Sequence, residues 1–234
     1  MTNLLSPKIS ITAQKLGNEG EPLAIVDNFF ESVDKLVEVA RTRPFSPAAN
    51  YYPGLRSAAP NQYLSAVHTL LQDVLSEIFQ FEKDQVLSID SAISMVTRRP
   101  EDLSEYQRIP HFDRPQREGL ACVHYLFPAE LPYGGTSFYR HNSTGYEFID
   151  ENRVETYQET LKTEFSEIGL PEPPAYINGD TNMFTRYASC EGIYNRALFY
   201  RASSLHSGNI FPDHNYDAEP AQSRLTMTSF IKLK

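Results

Sequence analysis

The segment PHFDRPQREGLACVHYLFPAELPYGGTSFYRH, residues 110–141, contains a short polar motif followed by two runs that are typical of β-strands. The motif sets His111 and Asp113 two positions apart. On an extended chain, residues i and i+2 point to the same side, so this pair presents an imidazole and a carboxylate together. The apolar run 120–127 and the alternating run 136–141 predict strands directly after the motif.

Strand patterns continue on both sides of this segment. The run VLSIDSAISMVT (86–97) alternates between polar and apolar residues, which is typical of a half-buried strand. Further strands are predicted within DTNMFTRYA (180–188), NRALFYRA (195–202) and RLTMTSFIKL (224–233). One helix is predicted around residues 151–165, ended by the turn cluster GLPEPP. The second half of the chain is therefore predicted to be rich in strands.

The first third of the chain has a different pattern. Residues 22–30, PLAIVDNFF, form an apolar run of β-formers. Helical spacing follows over residues 31–43 and ends at Pro44, and a second amphipathic helix is predicted over 61–79 with Asn61 as its N-cap.

Helices followed by many short strands predict one α+β domain over residues 1–234. We expect a closed double-sheet barrel or jelly roll with N-terminal helices packed outside. Residues 1–84 would form a helical support region and residues 85–234 the jelly-roll core. No clean linker marks a separate N-terminal domain.

Composition narrows the range of partners. A formal net charge of -9 argues against a general nucleic-acid binder, because phosphate neutralisation needs a basic surface. No apolar run approaches the length that spans a bilayer, and the start shows no signal-peptide pattern. Cys122 and Cys190 are too few for a disulfide framework. We expect a soluble cytoplasmic protein with a small-molecule or peptide substrate; the sequence does not indicate an oligomeric state.

A histidine and a carboxylate on one side of a strand can form two parts of the 2-His-1-carboxylate triad of non-haem iron(II) oxygenases. His206 is the best third ligand, because it follows an apolar strand and a short turn. The alternative is a loop histidine, His111, hydrogen-bonded to the nearby Asp113, since this spacing recurs by chance in many chains.

The other histidines favour ordinary roles. His68 lies on a predicted helix, and His124 lies inside an apolar run where a buried core or supporting residue is expected. His141 and His214 stand in polar, loop-like surroundings and are predicted to be exposed.

Several ordered motifs resemble the core of the prolyl-4-hydroxylase-like branch of 2-oxoglutarate/Fe(II)-dependent oxygenases. The resemblance covers roughly residues 85–233, and the first 80 or so residues carry no motif that transfers. Its elements are Pro110-His111-Phe112-Asp113, Tyr125-Leu126, Gly134-Gly135-Thr136 with Phe138, the strand leading to His206, and SRLTMTSFI near the end.

The resemblance implies a double-stranded β-helix fold and a set of site residues. His111, Asp113 and His206 would hold Fe(II), with 2-oxoglutarate as cosubstrate and dioxygen as oxidant. Arg224 would bind the far carboxylate of 2-oxoglutarate through two parallel hydrogen bonds. Tyr125 and Thr136 would point towards the same interior. The presence of Asp113 favours hydroxylation over halogenation, since halogenating relatives replace this carboxylate with a small residue.

The chain departs from the pattern of the branch in two places. The step from His206 to Arg224 is longer than usual, so the intervening residues must loop out, and Arg201 is a second candidate for the 2-oxoglutarate contact. The tyrosine that normally precedes the motif is not clearly aligned: Tyr106 is near, and Arg108 occupies the closer position.

Two further features suggest contacts with ligands. A cluster of arginines in sequence predicts a local positive field that would attract 2-oxoglutarate and an anionic substrate group, or else a solvated rim; its members are Arg98, Arg99, Arg108, Arg114 and Arg117. The stretch NYYPGLRSAAP (50–60), in the loop 44–60, predicts a lid with Tyr51, Tyr52 and Arg56 touching substrate, or else a surface connection.

The leading hypothesis is an Fe(II)/2-oxoglutarate-dependent dioxygenase that hydroxylates an amino acid, a peptide side chain or a small natural product. One alternative is a cupin-like iron enzyme that works without 2-oxoglutarate and does not need Arg224. Another is a non-catalytic binding or scaffold protein with the same fold. The intact triad argues against the scaffold.

Overall fold

The computed structural model describes residues 4–48, 51–128, 130–131 and 133–234, and its helices pack around two antiparallel sheets. A large sheet has the strand order β1-β2-β9-β6-β11-β5-β4-β3, and a small sheet has the order β10-β7-β8. The strands are β1 Ser10–Leu16, β2 Glu21–Asp27, β3 Ser46–Pro47, β4 Gly54–Ala58, β5 Val86–Val96, β6 Leu120–Tyr125, β7 Thr136–His141, β8 Phe184–Cys190, β9 Ala197–Arg201, β10 His206–Gly208 and β11 Thr226–Leu233.

The helices lie where the periodicity predicts them. They are α1 Val33–Thr42, α2 Asn61–Leu70, which continues through a π-helical turn Leu71–Leu75 into α3 Ser76–Phe79, and α4 Val154–Glu167. The prediction of Asn61 as an N-cap is wrong. Asn61 is the first helical residue, and Pro60, extended at φ -66° and ψ 146°, directs the chain into the helix without a side-chain cap.

The N-terminal helices cover one face of the large sheet, as predicted. Register places Ile93, Met227 and His124 side by side on that face. They belong to a layer with the buried helix residues Tyr63 and Leu70. Removing this apolar surface from water is the main stabilising contribution at the interface.

The opposite face of the large sheet packs against the small sheet. Phe138 of β7 meets Tyr200 of β9 edge-on, with ring centroids 5.2 Å apart. Leu198 and Cys190 belong to the same buried cluster. This pair of facing antiparallel sheets with few helices is consistent with a jelly-roll-like fold, and a cavity opens between the sheets.

Strands also come from the first 84 residues, and β2 lies largely within the run of β-formers at residues 22–30. Residues before 85 supply β1 and β2 at one edge of the large sheet and β3 and β4 at the other. The strand β1 is largely exposed, so its sequence carries little of the apolar signal by which strands are recognised. Residues 1–84 therefore contribute strands to the large sheet as well as helices that support it.

Within the described ranges, no helix is long and apolar enough to cross a membrane.

Candidate metal centre

Backbone pairing brings the two halves of the candidate centre together. His111 and His206 form an isolated antiparallel bridge in which each backbone N–H donates to the other residue's carbonyl oxygen at 2.9 Å. Asp113 follows on the same segment, and its N–H donates to the carbonyl oxygen of Ala202 at 2.8 Å. The segment that carries His111 and Asp113 is thus tied to the start of β10 and to the turn that precedes it.

The side chains of His111, Asp113 and His206 converge. Each offers a ligand atom, and these atoms all lie within 4.8 Å of one another. Asp113 Oδ1 is 3.7 Å from His111 Nε2, and Asp113 Oδ2 is 3.6 Å from His206 Nε2. Adjacent ligands around an octahedral ion with bonds of about 2.1 Å are about 3 Å apart, so a small side-chain adjustment would complete a facial set.

The two histidines have the protonation state that binding of a cation requires, and the tautomer of His206 does as well. His206 Nδ1 donates to the carbonyl oxygen of Ser204 at 2.9 Å, which leaves Nε2 with a free lone pair. Burial lowers the pKa of His206 to about 4, and desolvation in the cavity wall together with the neighbouring His206 lowers the pKa of His111 to about 4. Both imidazoles are therefore neutral at pH 7, as metal ligands must be. Burial also raises the pKa of Asp113, and a bound cation would offset that cost.

The three residues line a cavity of about 620 Å³, a size typical of small-molecule sites. The surface that His111 exposes, 53% of its side chain, borders this cavity. The walls combine aromatic and apolar side chains, such as Phe112, Tyr157 and Leu161, with few charged groups.

Arg224 reaches the same cavity although it is only 5% exposed. Its Nε donates to the carbonyl oxygen of Gly134 at 2.8 Å, and its Nη2 donates to that of Gly135 at 2.6 Å. Within the described residues it has no acidic ion-pair partner, and burial lowers its pKa. A buried guanidinium held only by carbonyl oxygens retains the capacity to bind an anion.

Gly134 and Gly135 allow neighbouring backbone segments to pack closely. A Cβ on Gly135 would lie 1.9 Å from the carbonyl oxygen of Cys190, and a Cβ on Gly134 would lie 2.2 Å from that of Asn209. The absence of side chains at these two positions lets two backbone carbonyls approach Arg224.

Thr136 and Tyr125 lie beside Arg224 at different depths. Tyr125 Oη and Thr136 Oγ1 are 2.8 Å apart, and the Arg224 guanidinium carbon is 5.8 Å from the Tyr125 ring centroid. Thr136 borders the cavity, whereas Tyr125 lies behind that wall.

The long segment between His206 and Arg224 forms a packed loop. His214 Nε2 donates to the carbonyl oxygen of Val96 at 3.1 Å, and Tyr216 stacks on Tyr176. Arg201 instead donates from Nη2 to the carbonyl oxygen of Phe79 at 2.5 Å and does not line the cavity. Of the two arginines considered for 2-oxoglutarate, only Arg224 faces the candidate centre.

The arginine cluster in sequence does not line the cavity. Arg99 pairs with Asp217, Arg108 with Glu172 at 3.2 Å, and Arg117 with Glu21 at 2.6 Å. Acidic side chains brought in by the fold therefore neutralise these three members, whereas the positive charge of Arg114 still acts on Asp113 and favours its ionised form. Tyr106, by contrast, borders the cavity.

The predicted lid is partly a strand. Gly54–Ala58 is β4, paired with β5, while Tyr51, Tyr52 and Arg56 line the cavity; Asn50 lies outside the described residues. The sequence reading missed Tyr200, whose ring is 4.7 Å from that of His206. Alternation along β9, which turns Leu198 and Tyr200 inward, is the signal that could have found it.

Two of the remaining histidines were placed wrongly. His141 and His214 are buried, not exposed. His141 Nε2 is 2.7 Å from a carboxylate oxygen of Glu164, so the fold supplies a polar partner in the interior. His124 is buried as predicted, 3.0 Å from Asn195 Oδ1.

Residues 7–231 match the model of a protein family described as a family of unknown function, DUF6445. The chain belongs to this family. A search of curated proteins finds no match to this DUF6445 chain.

Solved structures similar to the DUF6445 chain include an epimerase and a dioxygenase. The non-heme alpha ketoglutarate dependent epimerase SnoN from nogalamycin biosynthesis shares 12% identity, with 86% of this chain and 72% of that chain covered and a TM-score of 0.44. An N-substituted L-amino acid dioxygenase from Burkholderia ambifaria AMMD shares 9% identity, with 94% of each chain covered and a TM-score of 0.41. EvdMO1 shares 12% identity, with 98% and 56% covered and a TM-score of 0.34. These likenesses are distant and carry no conclusion about function.

Proposed function

We propose that this protein is an Fe(II)/2-oxoglutarate-dependent oxygenase that hydroxylates an amino acid, a peptide side chain or a small natural product. One observation carries the proposal. Two neutral imidazoles and a carboxylate converge on a cavity that also receives Arg224, a buried arginine with no acidic partner among the described residues. We propose the double-stranded β-helix and the prolyl-4-hydroxylase-like branch as its finer classification, and a cytoplasmic location without nucleic-acid or membrane partners.

Each residue has a distinct task in this proposal. His111, Asp113 and His206 would hold the iron. Arg224, fixed by two backbone carbonyls, orients the far carboxylate of 2-oxoglutarate, and Thr136 donates or accepts a hydrogen bond beside it. Iron supplies the dioxygen chemistry that couples oxidation of 2-oxoglutarate to hydrogen removal from the substrate. The aromatic walls exclude water from that step.

A cupin-like iron enzyme without 2-oxoglutarate is the second candidate. One observation favours it: two of the guanidinium nitrogens of Arg224 already donate to carbonyl oxygens, as a purely structural arginine would.

Anaerobic titration tests the proposal. Fe(II) is added to metal-free protein, followed by 2-oxoglutarate, and the weak visible charge-transfer band of the chelate is recorded. Air is then admitted, and succinate is measured. We expect the band, and slow succinate formation even without substrate.

The outcomes separate the candidates. Iron binding without a band or succinate supports the cupin-like enzyme, and absence of iron binding supports a scaffold. A His206→Ala variant should lose both the iron and the band, whereas His68→Ala, at an exposed helix position, is the matched control.

A further inference from the structure

A second arginine, Arg56, faces the cavity from the N-terminal part of the chain. Register aligns Arg56 with Ser94 on β5, Ser94 with Thr226 on β11, and Thr226 with Tyr125 on β6. Residues in register on neighbouring antiparallel strands point to the same face. Arg56 therefore stands on the cavity face of the large sheet, two strands or about 10 Å from Thr226.

The Arg56 guanidinium has no polar partner in the part of the chain that the structure describes. Its Nε is buried without a hydrogen-bond acceptor, and no ion pair reaches it. It packs on aromatic rings instead, 4.2 Å from the centroid of Tyr52 and 5.8 Å from that of Phe230. The hydroxyl of Tyr52 is also buried without a close hydrogen bond there, although it lies near the Ser94 side chain. Buried donors left unpaired cost free energy, so this pair of side chains is arranged to receive an acceptor.

The charges around the cavity define that acceptor. Arg56 and Arg224 are cationic, Asp113 is the acidic group in the cavity wall, and Lys162 lies exposed at its border. Iron would add two positive charges and 2-oxoglutarate two negative charges. The cavity then contains one positive charge that is not neutralised. This charge is that of Arg56, because a carboxylate of the cosubstrate neutralises Arg224. A monoanionic substrate would neutralise it.

The cavity is lined largely by apolar and aromatic side chains, which include Ile109, Phe112, Tyr157 and Leu161. A planar carboxylate matches the two-donor edge of a guanidinium, and an apolar or aromatic body matches these walls.

We propose that Arg56, assisted by Tyr52, binds a carboxylate of the substrate, so that this protein acts on small organic acids with an apolar body and not on neutral side chains within a polypeptide. The inference rests on the proposed oxygenase function and narrows its substrate class. It assigns the two arginines different ligands: Arg224 the cosubstrate and Arg56 the substrate. Arg56 is a binding and positioning residue.

Matched acid and amide probes test the inference. Hydrocinnamate, hexanoate and N-acetylphenylalanine are each compared with their primary amides, by anaerobic calorimetry on protein saturated with Fe(II) and 2-oxoglutarate. The chelate band is recorded on the same samples. The variants are Arg56→Gln, Arg56→Lys and Arg224→Gln, and thermal melting checks that each is folded.

We expect at least one acid to bind wild type about tenfold or more tightly than its amide, the value of one charge-assisted contact. Arg56→Gln should abolish this preference while the chelate band persists, and Arg56→Lys should retain part of it. Arg224→Gln should weaken the band and keep the preference.

Other outcomes overturn the inference. Acids that bind no better than their amides, or an acid preference that survives Arg56→Gln and disappears in Arg224→Gln, would show that Arg56 does not recognise the substrate. If the band is absent in wild type while the acid preference still depends on Arg56, the oxygenase proposal fails and the carboxylate site stands. If Arg56→Gln does not fold, the comparison of acid with amide in wild type and Arg56→Lys decides.

Discussion

Replacing Arg224 with glutamine should weaken 2-oxoglutarate binding far more than it weakens iron binding. The guanidinium would make two charge-assisted hydrogen bonds to the cosubstrate carboxylate, each worth about 1.5 to 3 kcal/mol. Losing about 3 kcal/mol raises the dissociation constant about 100-fold or more. Arg224 is not among the three converging ligands, so the affinity for Fe(II) should stay nearly unchanged.

The same substitution has a structural cost that can be measured separately. In the native protein the carbonyl oxygens of Gly134 and Gly135 both accept from Arg224. A glutamine amide can reach one of them at most, and a buried acceptor left unpaired costs about 1 to 3 kcal/mol. Urea unfolding of the metal-free protein should show a loss of this size, partly offset because the variant no longer buries a charge.

The assay is an anaerobic titration of Fe(II)-loaded protein with 2-oxoglutarate, followed at the chelate band. Arg99→Gln is the matched control, because Arg99 is exposed and paired with Asp217 outside the cavity. It should bind 2-oxoglutarate as wild type does. Wild-type affinity in folded Arg224→Gln would refute the assignment of Arg224 and favour the cupin-like enzyme.

The remaining predictions concern the ligand carboxylate, the glycine pair and a buried histidine. Asp113→Asn should reduce Fe(II) affinity by about 100-fold or more in calorimetry, because an anionic ligand is lost; a change below threefold would contradict its role as a ligand. Gly135→Ala should destabilise the protein by about 3 kcal/mol in urea unfolding, since the new Cβ meets the Cys190 carbonyl oxygen at 1.9 Å; an unchanged midpoint would exclude this clash. Burial lowers the pKa of His124 to about 3 in the folded protein. The contribution of the neutral His124 to the free energy of unfolding is therefore complete above pH 6.5. It is lost as the pH falls from 6.5 towards 3, by about 1.4 kcal/mol per pH unit. His124→Gln should flatten this fall in unfolding free energy, and His68→Gln should not.

Local patterns explain what could be predicted from the sequence. On any extended segment, residues two positions apart, such as His111 and Asp113, point to the same side. The helices are recognised by a hydrophobic period near 3.6 residues. Both signals lie within a few neighbouring residues. The structure accordingly brings His111 and Asp113 to one side and forms helices over 33–42 and 61–79.

Long-range partners explain what could not be predicted. Arg108 and Arg117 look like a cationic cluster until the fold brings Glu172 and Glu21 to them from distant parts of the chain. The burial of His141 depends in the same way on Glu164. No local pattern encodes such pairings, so the sequence located the candidate ligands better than it located the charges around them.

The position of β11 has a consequence for how the chain acquires its shape during synthesis. This strand comes after β5 and β6 in the sequence, yet it lies between them and pairs with both. The ribosome therefore releases β5 and β6 well before their shared neighbour exists, and their facing edges stay open until residue 233 has emerged. Pairings between distant segments form slowly, and open strand edges invite association. We expect nascent chains that stop short of β11 to be bound by chaperones or to aggregate.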